Sequence, residues 1–154
     1  MNAAELDRAI GDARRAFIDT STCIAYHSTT ELVHPAARHL LDRVDDDTDP
    51  LIAYISIASV SELLVRPIRG AGADLQLVTE FIRGFRNLEI LDVNLDIAIQ
   101  AANIRAVARL ALPDALLVGT AIVAGCEVIV TNDERWVRRL SPLYPQFRWI
   151  YLGA

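Results

Sequence analysis

Residues 16–22 read Ala16-Phe17-Ile18-Asp19-Thr20-Ser21-Thr22, a short apolar run that breaks into a carboxylate and three hydroxyl residues. An apolar run of this length predicts a buried strand, and the polar residues after it predict a turn. The same grammar recurs along the chain. Leu51–Ile57 and Leu88–Val93 are β-rich and apolar, as are Cys126–Thr131 and Phe147–Leu152. Between them lie segments with helical spacing: 22–28, 35–44, 58–66, 74–84, 95–110, 113–124 and 134–140. Pro35 and Pro113 stand at helix starts, Gly125 at a helix end, and Pro67 is expected to stop the third of these helices. Strands separated by helices imply βαβ units. The expected fold is therefore α/β: a mostly parallel sheet between two layers of helices. Residues 1–15 are read as a polar, helical extension outside that pattern, and 16–154 as a single domain.

Composition agrees with a folded domain. The chain has 154 residues, 53% of them hydrophobic and 23% charged. That balance excludes a disordered chain, and no apolar run is long and uncharged enough to span a bilayer. The first eight residues already carry Glu5, Asp7 and Arg8, which argues against a signal peptide. Cys23 and Cys126 are isolated, and buried free thiols fit a reducing, cytoplasmic setting. The formal net charge is −5. Taken whole, it argues against a polyanionic partner.

Four carboxylates qualify that inference. Open α/β sheets bind ligands at the carboxyl ends of their strands. Asp19 ends the first strand and Asp133 follows the fourth. Asp114 opens the helix at Pro113-Asp114-Ala115, and Glu62 lies about one turn into the helix after the second strand. Each has an ordinary alternative. Asp19 suits an Asx-turn, Asp133 an N-cap and Asp114 the positive end of a helix. Glu62, flanked by Val60, Leu63 and Leu64, is expected to face a packed surface, where an unpaired carboxylate is costly. Taken together, four such residues at one end of one sheet point to a shared task. Converging carboxylates repel one another, and a divalent cation relieves the repulsion. An all-oxygen set without Cys or His suits Mg²⁺ or Mn²⁺, as one or two ions. His27, His34 and His39 form no i, i+4 ligand pair and read as surface or packing residues.

At these residues the chain resembles the PIN-domain ribonucleases, and most closely the VapC-type toxins of toxin–antitoxin pairs. The matching segments are Phe17-Ile18-Asp19-Thr20-Ser21, Ile57-Ala58-Ser59-Val60-Ser61-Glu62-Leu63, Leu112-Pro113-Asp114-Ala115 with Gly119-Thr120-Ala121, and Val130-Thr131-Asn132-Asp133. They occur in the family's order over about residues 16–152. The resemblance implies a three-layer PIN-like sandwich. It makes Asp19, Glu62, Asp114 and Asp133 a catalytic, metal-binding quartet. Thr131 is then a supporting hydroxyl, with Thr20 and Ser21 orienting Asp19. It implies metal-dependent hydrolysis of RNA by activated water, homodimers, and a cognate antitoxin that covers the site.

RNA contact needs cations, and every basic residue of this chain is Arg. Arg66, Arg69, Arg135, Arg138 and Arg139 are the candidates, each with an ordinary solvated face as its alternative. Trp136 is either a base-stacking residue or part of the core. A catalytically silent PIN module that binds RNA or a partner protein is the second functional reading. A haloacid-dehalogenase-like phosphatase is the third, but it wants a second Asp where Ser21 stands. With the four site acids set aside, the charge falls to −1. With Asp45, Asp46, Asp47 and Asp49 also set aside, it becomes +3. The acidity is therefore local, and the remaining surface belongs to Arg.

Overall fold

The computed structural model describes residues 1–154. Five strands form one sheet: β1 (Arg15–Ile18), β2 (Ile52–Ser56), β3 (Leu88–Leu91), β4 (Val128–Thr131) and β5 (Arg148–Tyr151). Their order is β3-β2-β1-β4-β5, and every pairing is parallel. The chain thus builds outward from β1 in one direction, then returns to β1's other edge with β4. That reversal opens a crevice beyond the carboxyl ends of β1 and β4, where open α/β sheets bind ligands.

Eight helices cover the sheet: α1 (Ala3–Ile10), α2 (Thr20–His27), α3 (His34–Asp45), α4 (Ile57–Ile68), α5 (Leu75–Gly84), α6 (Leu95–Ala108), α7 (Leu112–Val123) and α8 (Glu134–Leu140). Alternation along the strands divides the core in two. Ala16, Ile18, Val128 and Val130 face a core shared with α1 to α5. Phe17 and Ile129 face a second core, with Ile104, Val118, Trp136 and Leu140 from the other three helices. The fold is therefore a three-layer α/β sandwich, as expected.

Two local features differ from the sequence reading, and a third agrees with it. Residues 1–15 are partly helical as expected, but they are not apart from the core. Leu6 and Ile10 are wholly buried in the first core, because the two apolar residues lie four apart on one face of α1. Pro67 does not stop α4, which runs on to Ile68. Proline there forfeits one backbone bond in a last turn that ends anyway, and Gly70 N–H then bonds Pro67 O at 2.9 Å. Lastly, β2 passes into α4 without a loop, since the Ser56 side chain caps the helix by accepting from Ala58 N–H.

The small residues of α7 have a packing reason. A Cβ on Gly119 would stand 3.0 Å from the Ile97 carbonyl oxygen and 3.3 Å from the Ala101 nitrogen. Backbone meets backbone there, which sets α7 close against α6 and so fixes the height at which Asp114 stands. No single helix is long and apolar enough to cross a membrane.

Candidate active site

Asp19 leaves the sheet at the crevice. Its N–H still bonds Val130 O, at 3.0 Å, and α2 begins one residue later. The side chain is buried, at 6% exposure. Its Oδ2 accepts from Ser21 Oγ at 2.5 Å and from Thr131 Oγ1 at 2.8 Å. Each hydroxyl in turn accepts one backbone N–H: Asn132 to Ser21 Oγ at 2.9 Å, and Asp133 to Thr131 Oγ1 at 3.0 Å. A hydroxyl has one proton, so both protons are committed to Asp19. Oδ1 receives no side-chain hydrogen bond and is the free oxygen of this carboxylate. Burial raises the Asp19 pKa, against the hydroxyls of Ser21 and Thr131 and the amides that open α2.

Asp133 caps α8, as its ordinary alternative required. Its Oδ1 accepts from Arg135 N–H at 2.8 Å and Trp136 N–H at 3.4 Å. Oδ2 is left over. Asp114 stands in the first turn of α7, half-buried, with no hydrogen-bond or ion-pair partner. Its pKa is raised, first by burial and then by the charges of Glu62 and Asp133, with Arg139 acting in the opposite sense. Glu62 is the correction. It is exposed, beside buried Leu63 on α4, and it too has no hydrogen-bond or ion-pair partner. Together with Arg66, Ser28, Thr29 and Thr30 it lines an open cavity of about 340 Å³ between α2, α4 and α5.

Asp19 and Asp133 thus follow the ends of the adjacent strands β1 and β4, linked through the Thr131 hydroxyl, and the charges of Glu62 and Asp133 act on Asp114. No three of the chain's Asp, Glu, His and Cys side chains stand close enough together to hold a metal ion as they are placed. The donor chemistry fits a hard divalent cation nonetheless. Glu62 and Asp114 have every oxygen free, Asp19 and Asp133 have one each, and no soft ligand intrudes.

The supporting residues divide. Ser21 and Thr131 hold Asp19, as expected. The Thr20 hydroxyl does not: it donates to buried Ser59 Oγ at 2.9 Å and ties the starts of α2 and α4 together, while the Thr20 backbone amide still favours the Asp19 carboxylate. Ser59 and the capping Ser56 were missed in the sequence, although the small hydroxyl residues from 56 to 61 were there to find them.

The arginines divide too. Arg66 and Arg69 are exposed and make no side-chain hydrogen bond or ion pair. Arg135 is 93% exposed and meets only Asp133, at 3.6 Å. Arg138 is paired with Glu134. Arg139 is bound to the main chain at the end of α6. Trp136 is core: it is 7% exposed and packs edge-on against Trp149, with centroids 6.3 Å apart. The histidines pack or pair as expected. His27 lies among Tyr26 and Phe81, His34 Nδ1 meets Ala25 O, and His39 Nε2 meets Asp7.

A parallel sheet with carboxylates around its switch point is the signature of a class, and the sequence places this chain in it. Residues 16–140 match the PIN domain family model, so the chain belongs to the PIN domain family. Among solved structures it is similar to VapBC2 from Rickettsia felis, bound to a DNA fragment from its promoter. That match has a TM-score of 0.64 and 15% identity, over 89% of this chain and 98% of that one. A toxin–antitoxin complex from Klebsiella pneumoniae matches with TM-score 0.64 and 18% identity, over 89% and 97%. Mycobacterium tuberculosis VapC20, described as a sarcin-ricin loop cleaving toxin, matches with TM-score 0.62 and 20% identity, over 80% and 93%. No curated protein sequence matches the chain.

Proposed function

We propose that this PIN domain is a divalent-metal-dependent endoribonuclease and the toxin of a toxin–antitoxin pair. One observation carries the reading. Asp19 and Asp133 share the Thr131 hydroxyl at the switch point of the sheet, the charges of Glu62 and Asp133 bear on Asp114, and Glu62 and Asp114 have no hydrogen-bond or ion-pair partner. Structural carboxylates at helix starts are ordinarily satisfied by amides or cations. Asp19, Glu62, Asp114 and Asp133 would hold Mg²⁺ or Mn²⁺ through their free oxygens. Bound there, the cation supplies the Lewis acidity that activates water and steadies the departing oxygen.

The chain's own residues do the rest. Ser21 and Thr131 keep Asp19 in one rotamer, with Oδ1 turned to the site. The Asp133 cap fixes its carboxylate on α8, so neither group reorganises when substrate arrives. Arg66 on α4, Arg69 at its C-cap and Arg135 on α8 offer guanidinium groups to phosphate. Two of the similar structures are described as VapBC or toxin–antitoxin complexes, which supports a cognate antitoxin as partner. Exposed Leu95, Val107, Ile68 and Leu77 supply apolar area for a homodimer or such a partner.

The test is cleavage of a structured RNA with Mg²⁺, with Mn²⁺ and with chelator. Asp19→Asn and Asp114→Asn should abolish metal-dependent cleavage and leave the circular dichroism spectrum intact. A silent module instead gives no cleavage and no Mn²⁺-dependent thermal shift. Full activity in the double variant sinks the assignment of the quartet.

A further inference from the structure

Arg139 lies in the last turn of α8, where sequence alone offered it as a phosphate contact. The structure occupies it otherwise. Its Nη2 donates to Ala108 O at 2.6 Å and to Arg109 O at 3.0 Å. Those carbonyls close α6, at the negative end of its dipole, where an arginine is favoured. Arg109 is also the one non-glycine residue with positive φ, at φ 53° and ψ 38°, and its N–H bonds Arg105 O at 3.0 Å. The chain turns left-handed there and enters α7 at Leu112, whose first turn carries Asp114. Arg135 and Arg138, on the same short helix, pair only with acids of α8 or its cap. Arg139 alone among the three reaches another element.

We propose that Arg139 is a positioning residue: it bolts α8, which Asp133 begins, to the α6–α7 turn, and so holds Asp114 in register with Asp133. The inference rests on the reading of those two carboxylates as site residues. The two acids stand on elements joined by no strand pairing, and α7 reaches the site on a short turn bent at Arg109. A guanidinium bridging two successive carbonyls fixes that bend in a way a single-point cation does less well. The charge of Arg139 also acts on Asp114, which places the bolt beside the site.

Three readouts on the full chain test this. Hydrogen exchange over residues 109–115 should be roughly tenfold faster in Arg139→Ala, because a charged hydrogen bond to the turn is lost. Arg138→Ala should leave it unchanged. Mn²⁺ affinity, titrated on folded protein, should fall about tenfold. RNA cleavage should lose kcat with KM and salt dependence unchanged, and Arg139→Lys should recover part of it. Unchanged exchange with a raised KM and a shallower salt slope overturns the proposal and makes Arg139 a phosphate contact. Faster exchange with unchanged Mn²⁺ affinity and kcat overturns it as well, since the bolt is then only structural. If the wild-type chain neither binds Mn²⁺ nor cleaves RNA, the nuclease reading falls by itself. The exchange comparison still decides whether Arg139 holds the turn.

Discussion

Asp19 and Asp133 stand in a lattice of hydroxyls and amides, whereas Glu62 and Asp114 stand at the same crevice with no partner at all. The first pair is built at the junction of β1 and β4, where two adjacent strands end side by side. The pairing of β1 with β4 brings Ser21 to Asp19 and the Asn132 N–H, and Thr131 to Asp19 and the Asp133 N–H. The second pair comes in on helices. Glu62 is placed by the run of α4 and Asp114 by the seating of α7 on α6. One half of the site is thus preorganised by hydrogen bonds and the other is placed only by the packing of whole elements. Preorganisation is costly on the first half, since a buried carboxylate must lose its water. The open half escapes that cost and leaves room for a ligand.

The largest expected effect comes from breaking the closed half. Asp19→Asn should reduce RNA cleavage to background while raising the melting temperature of the metal-free protein, because it removes a buried charge and keeps the shape. A lower melting temperature would show that the lattice stabilises the charge outright. Thr131→Val should follow. It strips Asp19 Oδ2 of one donor and leaves the Asp133 N–H without its acceptor, at a cost of about 1–3 kcal/mol. Activity should fall about 10–100-fold, read by urea unfolding and by initial rates.

On the open half, Gly119→Ala tests placement by packing. The added methyl meets backbone that cannot rotate away, so the free energy of unfolding should fall by about 1–3 kcal/mol. Cleavage should fall with it, although Gly119 touches no site residue. A smaller effect separates the cavity beside Glu62 from the site itself. Burial pushes the His27 pKa down to about 4, and its Nε2 has no partner. The unfolded chain binds that proton near pH 6.5, so stability is lost as pH falls from about 6.5 toward 4. His27→Leu should flatten that limb of the wild-type profile, measured by thermal unfolding. The smallest effect is a gain. Arg109→Gly relieves a left-handed residue and should stabilise by up to about 1 kcal/mol.

The contrast between the halves also explains what was legible in the sequence. Alternating apolar runs and helical spacing revealed the α/β layers, because burial imposes those periods directly. Asp19 and Asp133 were legible because a carboxylate just past a strand has few places to be. The direction of Glu62 was not. Its neighbours Leu63 and Leu64 implied burial, yet the helix turns about 100° per residue and carries Glu62 out to the rim. The roles of Thr20 and Arg139 were hidden for a different reason. Both bind partners at least 30 residues away, Ser59 and the end of α6, and no local spacing records such a contact. Pro67 was misread because the rule against proline in helices weakens in a last turn.

The order of the strands has one more consequence, and it concerns time. β1 is made early, but it becomes the centre of the sheet only when β4 pairs with it. The hydrogen bond from Thr131 to Asp19 spans 112 residues of chain. Contacts so distant form late, after the intervening chain has been gathered in. A growing chain therefore carries Asp19 with its β4 edge bare until Thr131 has been synthesised. A parallel sheet that reverses at its first strand keeps its own crevice unfinished until the strand on the far side of the reversal arrives.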